Sequence, residues 1–309
     1  MQPPYSIGVD IGGSHITCGA VHLLEGQLLE ESLARAEYHH EATAEHIFQS
    51  WASALNQTLS HIGHSQLAGI GFAIPGPFNY ANGISEMQHK FPHLYGLHIP
   101  TGLQPLLHTN QVFPMRFLND ASSFAVGEAW LGEGKMFQRV VVITLGTGFG
   151  SAFTQGGIPV VSGPTVPREG CLWHLPFKES IADDYISTRW FVKEYAAHSG
   201  ENISGVKELI DRADKEPFVQ DLFTEFGHNL AECLSNPLKQ FKAEVLIIGG
   251  NISHALPLFR TALAEGLLQQ DVQVSIRRSS LMERAALLGS ARLLDDAFWQ
   301  KVSAELPEI

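Results

Sequence analysis

Apolar and small residues alternate along "YSIGVD" (5–10), and the run stops on a carboxylate, Asp10. A second β-like run begins at His15 after Gly12-Gly13-Ser14. The segment "HITCGAVHLLEGQLLEESL" continues it as a hairpin pivoting near Glu25-Gly26. "TAEHIFQSWASALNQTLSHI" sets Ile47, Trp51, Leu55 and Leu59 at helical spacing. "LAGIGFAIPGPF" reads as a buried strand that must stop at Pro75-Gly76-Pro77, where proline removes a ladder donor. "RFLND" is a short strand ending on two polar residues, and "ASSFAVGEAWLGEG" reads as the helix after it, with Gly134 near its end.

"RVVVITLGTGFGSAFTQGGIPV" repeats the plan of the opening segment: apolar strand, glycine turn with a hydroxyl, strand, hairpin. The repeat is one of architecture, not of residue identity. A third strand–glycine element, "AEVLIIGGNI", follows the amphipathic "FVQDLFTEFGHNLAECLSNPLKQF" and precedes another helix. "VQVSIRRSS" and "MERAALLGSARLLDDAFWQKV" predict a final strand and a final helix. No low-complexity linker interrupts these elements.

The 309 residues suffice for two ordinary domains. With 44% hydrophobic and 17% charged residues, the composition is that of a globular enzyme, not a disordered chain. A formal charge of −12 argues against a nucleic-acid partner, because neutralising phosphates needs a basic surface. Cys18, Cys171 and Cys233 lie far apart and form no CxxC pair, so neither a disulfide framework nor a zinc knuckle is indicated. No apolar run reaches membrane-spanning length and no leader-like segment opens the chain, so a cytoplasmic protein is expected.

Three strand–glycine turns, at 10–14, 146–148 and 249–251, carry the candidate chemistry. Glycine lets backbone N–H groups approach a phosphate without a Cβ in the way, and a neighbouring hydroxyl adds a donor. Any one such turn is more often a simple bend than a ligand site; the three together favour a nucleotide. GxxxxGK[ST] is absent, which excludes a P-loop, and no complete GxGxxG opens a helix. Asp10 and Asp120 are the carboxylates of interest. "ND" at 119–120 fits a helix N-cap as well as it fits a catalytic pair. On the functional reading, Asp120 accepts the proton of a hydroxyl attacking a phosphoryl group, and Asp10 holds Mg²⁺, through water, beside the phosphates.

"VDIGGSH", "GFAIPGP", "LNDASSFAVGEAWLGEG", "TLGTGFGSAF" and "LIIGGNI" come in the order and approximate spacing of the ROK family of repressors, open reading frames and kinases, which the chain resembles over nearly its whole length. The resemblance implies an α/β fold: two actin-like (ribonuclease H-like) domains hinged around a nucleotide and sugar cleft. The expected boundaries are 1–118 with about 292–309 for a small domain and 119–291 for a large one. It implies ATP with Mg²⁺ as phosphoryl donor and a hexose as acceptor, at O6 of glucose or of an N-acetylated amino sugar. By similarity Gly12, Gly13 and Ser14, with Gly146, Thr147 and Gly148, hold phosphates, while Gly249, Gly250 and Asn251 lie near adenosine. Gly76 and Asn119 meet the sugar, and Asp120 is the catalytic base. Ser14 stands where threonine is usual and keeps the hydroxyl. Relatives suggest a homodimer.

The pattern breaks after residue 160. ROK kinases carry an ExGH motif and a cysteine-rich zinc loop, where this chain reads "VPREGCLWHLPFKESIADDYISTRWF". His174 matches the motif histidine, Cys171 then falls at the glutamate position and Trp173 at the glycine. Glu169 is the neighbouring acid if the loop shifts, and Asp183 aligns with the second sugar-contacting acid; Asp184 and Glu179 are nearby alternatives. One histidine and one cysteine cannot build a tetrahedral structural site, so no zinc is expected. Packing of Leu172, Trp173, Leu175, Pro176 and Phe177 is expected to hold the loop instead. Gln88, His89 and Lys90 are further candidates on the sugar side, with an ordinary loop as the competing reading. A sugar-responsive repressor is disfavoured, since the first strand starts by Tyr5 with no helix-turn-helix before it. A catalytically weak sugar-binding or regulatory relative is the alternative to the kinase.

Overall fold

A computed structural model describes residues 3–306. The chain begins with strands β1 (Tyr5–Ile11), β2 (His15–His22), β3 (Gln27–Leu28) and β4 (Ala34–Glu37), then helix α1 (Ala44–Leu59). Strand β5 (Leu67–Ile74), a small hairpin of β6 (Phe78–Asn79) and β7 (Ile84–Ser85), helix α2 (Ile99–Leu103), strand β8 (Met115–Asn119) and helix α3 (Asp120–Leu131) follow. Next come β9 (Arg139–Leu145), β10 (Phe149–Gln155), β11 (Ile158–Pro159), and a hairpin of β12 (Pro176–Phe177) and β13 (Ser180–Ile181). Helices α4 (Ala182–Tyr185), α5 (Thr188–Ser199), α6 (Val206–Arg212) and α7 (Pro217–Phe241) lead to β14 (Val245–Gly249). The chain then forms α8 (Leu256–Gln269), β15 (Ser275–Arg278), α9 (Arg284–Arg292) and α10 (Asp296–Ser303).

These elements form two units. The first takes the chain up to Gly132 and resumes at Glu283; the second is Glu133–Met282. The borders therefore fall at 132/133 and 282/283 instead of the expected 118/119 and 291/292. The reason is packing. Helix α9 lies directly on β1 and β5: a Cβ on Gly71 of β5 would come 1.8 Å from the Ser290 carbonyl oxygen. Helix α3 packs on α9 in turn, so both belong with the first sheet.

In the first unit the strand order is β3-β2-β1-β5-β8, with β4 also on β2. Strands β1 and β2 are antiparallel, while β1, β5 and β8 run parallel. In the second the order is β11-β10-β9-β14-β15, again with antiparallel pairing along the first three strands followed by parallel neighbours. The architectural repeat in the sequence is thus a repeat of sheet topology. Each unit has its own core. Ile47, Trp51, Leu55 and Leu59 of α1 pack with Ile7, Val9 and Phe72 in the first. Phe223, Phe226 and Leu230 of α7 pack with Phe259, Ile143 and Ile248 in the second.

The expected final helix is two helices. It breaks after Arg292 and restarts where the Asp295 carboxylate accepts from the N–H groups of Ala297 and Phe298, an N-cap inside the apolar pattern. Among the described residues, no helix is long and apolar enough to cross a membrane.

Candidate active site

In open α/β sheets, ligands sit at the carboxyl ends of parallel strands, where loops and helix N-termini leave polar groups unpaired. In the first unit those ends carry Asp10 on β1, Ile74 closing β5 with Gly76 just beyond it, and Asn119 closing β8 with Asp120 just beyond it. The register places Asp10 beside Ala73 and Ile74 beside Asn119.

Asn119 is the N-cap of α3: its Oδ1 accepts from Ser122 N–H at 3.2 Å, and its Nδ2 donates to the Tyr80 hydroxyl at 3.4 Å. The cap is therefore not on Asp120. That carboxylate sits at the first helical position, with one oxygen accepting from Ala121 N–H at 2.9 Å. A helix N-terminus favours negative charge there. Gly76 lies under Tyr80, where a Cβ would approach the phenol oxygen to 3.2 Å.

Asp10 has its pKa pushed up to about 7, first by burial and then by the negative charges of Asp120 and Glu283. Three acids thus share one strand-end environment. A hard divalent cation fits that donor set: Mg²⁺ is commonly held by one or two carboxylates with phosphate oxygens and water completing its shell. Among the described residues no three histidine, cysteine or acidic side chains are placed as a ready-made metal cage. Asp10 is the residue of this group that could hold such a cation.

The Gly12-Gly13-Ser14 turn is drawn tight by Gly12 N–H donating to His15 O at 2.9 Å. The Tyr38 hydroxyl reaches the Gly12 carbonyl at 2.6 Å and the His15 carbonyl at 3.0 Å. Gly13 and Ser14 stay exposed.

In the second unit, the glycine turns at the ends of β9 and β14 are neighbours, since Gly249 pairs with Thr144. Gly250 has φ of +76°, and a Cβ there would meet the Leu145 carbonyl oxygen at 2.4 Å. Only glycine allows that backbone approach. Asn251 is exposed at the start of a short 3-10 turn. The Gly146 carbonyl accepts from both the N–H and hydroxyl of Thr188, and the Thr147 carbonyl accepts from Arg189 Nη1 at 2.9 Å. The Thr147 side chain and Gly148 remain exposed.

Asp183 joins this turn. Its Oδ1 accepts from Phe149 N–H at 2.6 Å, and its Oδ2 forms an ion pair with Arg189. Both oxygens of this expected sugar contact are thus engaged within the unit. Glu169 sits in an exposed turn with φ of 58°, paired with Arg168 at 3.3 Å. His174 is exposed, its ring edge-on to Trp173 at 5.3 Å. The structure does not bring Glu169 and Asp183 together by any contact. The loop's expected packing is partly different as well: Leu172 and Phe177 are buried, but Trp173 is 47% exposed and Pro176 is exposed too.

Sequence reasoning missed Glu283, Tyr38, Tyr80 and Arg189. Glu283 opens α9 and carries no local signal for proximity to Asp10. Tyr38 follows a strand whose pairing with β2 alone brings it to the turn. Arg189 lies in the "ISTRWF" stretch already matched to the family, where a cation beside Asp183 offered a readable cue.

Comparison with known proteins adds a family. Residues 6–297 match the model of the ROK family. The chain is 24% identical to the glucokinase of Thermotoga maritima, over 94% of this chain and 97% of that one. It is equally 24% identical to the N-acetyl-D-glucosamine kinase of Haemophilus influenzae, over 93% and 98%. A ROK family glucokinase from Streptomyces griseus, solved with glucose and AMPPNP, shares the fold with a TM-score of 0.74 at 21% identity, over 94% and 98% of the two chains.

Proposed function

The chain belongs to the ROK family, and from that premise we propose that it is an ATP-dependent sugar kinase acting on O6 of a hexose or N-acetylhexosamine. The observation that carries the reading is the pairing of Asp10 and Asp120 at the ends of parallel strands of one sheet, with Asn119 taking the helix cap in place of Asp120. The full-length similarity to a glucokinase and to an N-acetylglucosamine kinase supports the same acceptor class.

The residues divide the work. Gly12, Gly13 and Ser14 offer phosphate donors in the first unit. Gly146, Thr147 and Gly148 offer them in the second, with Gly249, Gly250 and Asn251 beside the nucleoside. Asp120 accepts the proton of the acceptor hydroxyl as its oxygen bonds to the γ-phosphorus. The bond from that phosphorus to the β–γ bridging oxygen breaks, and ADP leaves with the electron pair. Mg²⁺, when bound at Asp10, supplies charge neutralisation of the phosphates. Little covalent assistance is required, since phosphoryl transfer is catalysed mainly by positioning and electrostatic stabilisation. The proposal includes a cytoplasmic homodimer with no structural zinc and, given the charge of −12, no nucleic-acid partner.

Purified protein with Mg²⁺·ATP should release ADP in the presence of one or more of glucose, mannose, N-acetylglucosamine or N-acetylmannosamine, with the sugar phosphate confirmed by mass. The engagement of both Asp183 oxygens favours a second reading, a sugar binder with weak turnover. A sugar that raises the melting temperature without ADP release would select that second reading. No response to any sugar would overturn both.

A further inference from the structure

The tip of the β12–β13 hairpin holds a lysine where backbone preference alone would place glycine or asparagine: Lys178 has φ of 51°. Its side chain shows what the conformation retains. The ammonium donates to Oδ1 of Asn229 on α7 at 2.6 Å, and lies 5.7 Å from the Phe177 ring centre and 5.4 Å from that of Tyr185. Those two rings meet edge to face at 5.4 Å. Asn229 is 2% exposed and its Nδ2 has no hydrogen-bond partner. Loss of the lysine would therefore strand the other end of a buried amide as well, the costly way to break a buried polar pair.

The hairpin connects this pin to the candidate site. Its strands are tied by Ala182 N–H to Leu175 O and Asp183 N–H to Trp173 O, both at 3.0 Å. Asp183 then holds Phe149 N–H and Arg189, and Arg189 holds the Thr147 carbonyl. The path from buried Asn229 to the Gly146-Thr147-Gly148 turn thus runs through the Lys178 ammonium, the hairpin backbone, Asp183 and Arg189.

We propose that Lys178 is a positioning residue: its ammonium, fixed on Asn229, sets the hairpin that carries His174 and Asp183, and through Asp183 the shape of the 146–148 turn. The kinetic consequence rests on the kinase reading; the structural consequence does not.

Lys178→Gly leaves the left-handed tip unstrained, since glycine adopts that conformation freely, while it removes the lysine side chain together with its ammonium. Amide hydrogen exchange in this variant should accelerate about tenfold or more at Ala182, Asp183 and Phe149, with α8 unchanged, as expected for a local opening. Lys178→Arg, which keeps a cation, should restore most of the protection. Asn229→Ala should match Lys178→Gly, and the double variant should be no worse than either, as for one shared contact. In steady-state assays KM for ATP should rise about tenfold with kcat within about threefold, the signature of lost positioning in binding. Unchanged exchange in Lys178→Gly would overturn the proposal. Faster exchange at Ala182 and Asp183 with unchanged KM would reduce the pin to a structural staple and overturn the positioning role. Should the wild type phosphorylate no sugar, the kinase reading fails alone, and exchange at Phe149 still decides whether the pin reaches the turn.

Discussion

Asn119 and Asp120 divide two tasks that one strand–helix junction presents. The amide takes the cap, which leaves the neighbouring carboxylate with a single backbone partner and free capacity for a substrate hydroxyl. Asp120→Asn should therefore fold with a melting temperature no lower than the wild type's and still bind sugar, while kcat falls about 10²–10⁴-fold, the usual contribution of a general base. Calorimetric sugar binding alongside turnover checks both halves, and retained kcat would remove Asp120 from the mechanism. Asp10 makes a prediction about pH. Its folded-state pKa of about 7 lies above the unfolded value of 3.8, so the folded protein holds the extra proton. This residue's effect on stability thus worsens as pH rises from about 4 to about 7 and is complete above that. Asp10→Asn removes the penalty: without ligands it should melt higher than the wild type at pH 8, and the gap should narrow toward pH 5. A gap that widens on acidification would contradict the assignment. Both aspartates were legible in the sequence as carboxylates at strand ends. Which of Asn119 and Asp120 caps the helix was not, because both side chains are competent caps and only the geometry of the turn chooses.

Elements carry different constraints. Helix α9 touches β5 backbone to backbone at Gly71, so even a methyl group there must push helix and sheet apart. Gly71→Ala should cost about 2–3 kcal/mol in urea unfolding, in the range of overpacked core positions. A loss within 0.5 kcal/mol, the scale of a bland surface change, would mean that the contact relaxes freely. The sequence pattern predicted a helix over this segment, but not that its neighbour would be glycine on a strand far earlier in the chain. The Trp173–Asp183 hairpin is the other instructive element. It is tied by backbone hydrogen bonds, the buried Leu172 and Phe177, and the Lys178–Asn229 contact. Elemental analysis should accordingly find no stoichiometric zinc, and a chelator should leave the melting temperature unchanged. Zinc at one per chain would overturn this. The absent cysteines were readable at once; the substitute was not, since a lysine on a buried asparagine leaves no periodic trace.

On the scale of the whole chain, the two sheets share one topology, and each is followed by helices covering its own core. Among the described residues, exposed large apolar side chains such as Leu24, Val112 and Met136 lie far apart in the sequence. Light scattering should nevertheless report twice the chain mass if the expected homodimer forms; the mass of one chain at micromolar concentration would refute it. What the sequence determined by itself was local and periodic. It set strand ends on glycine and carboxylate, the helical faces of α1 and α7, the doubled plan, and the motifs by which the family is known. Alternation and helical spacing write these into neighbouring residues. The tertiary structure alone decided which distant residues share an environment: Glu283 with Asp10, Tyr38 with the first glycine turn, Asp183 and Arg189 with the second, and α9 with the first sheet. Those juxtapositions arise from packing between segments remote in sequence, where burial and charge act through space and leave no local pattern to read.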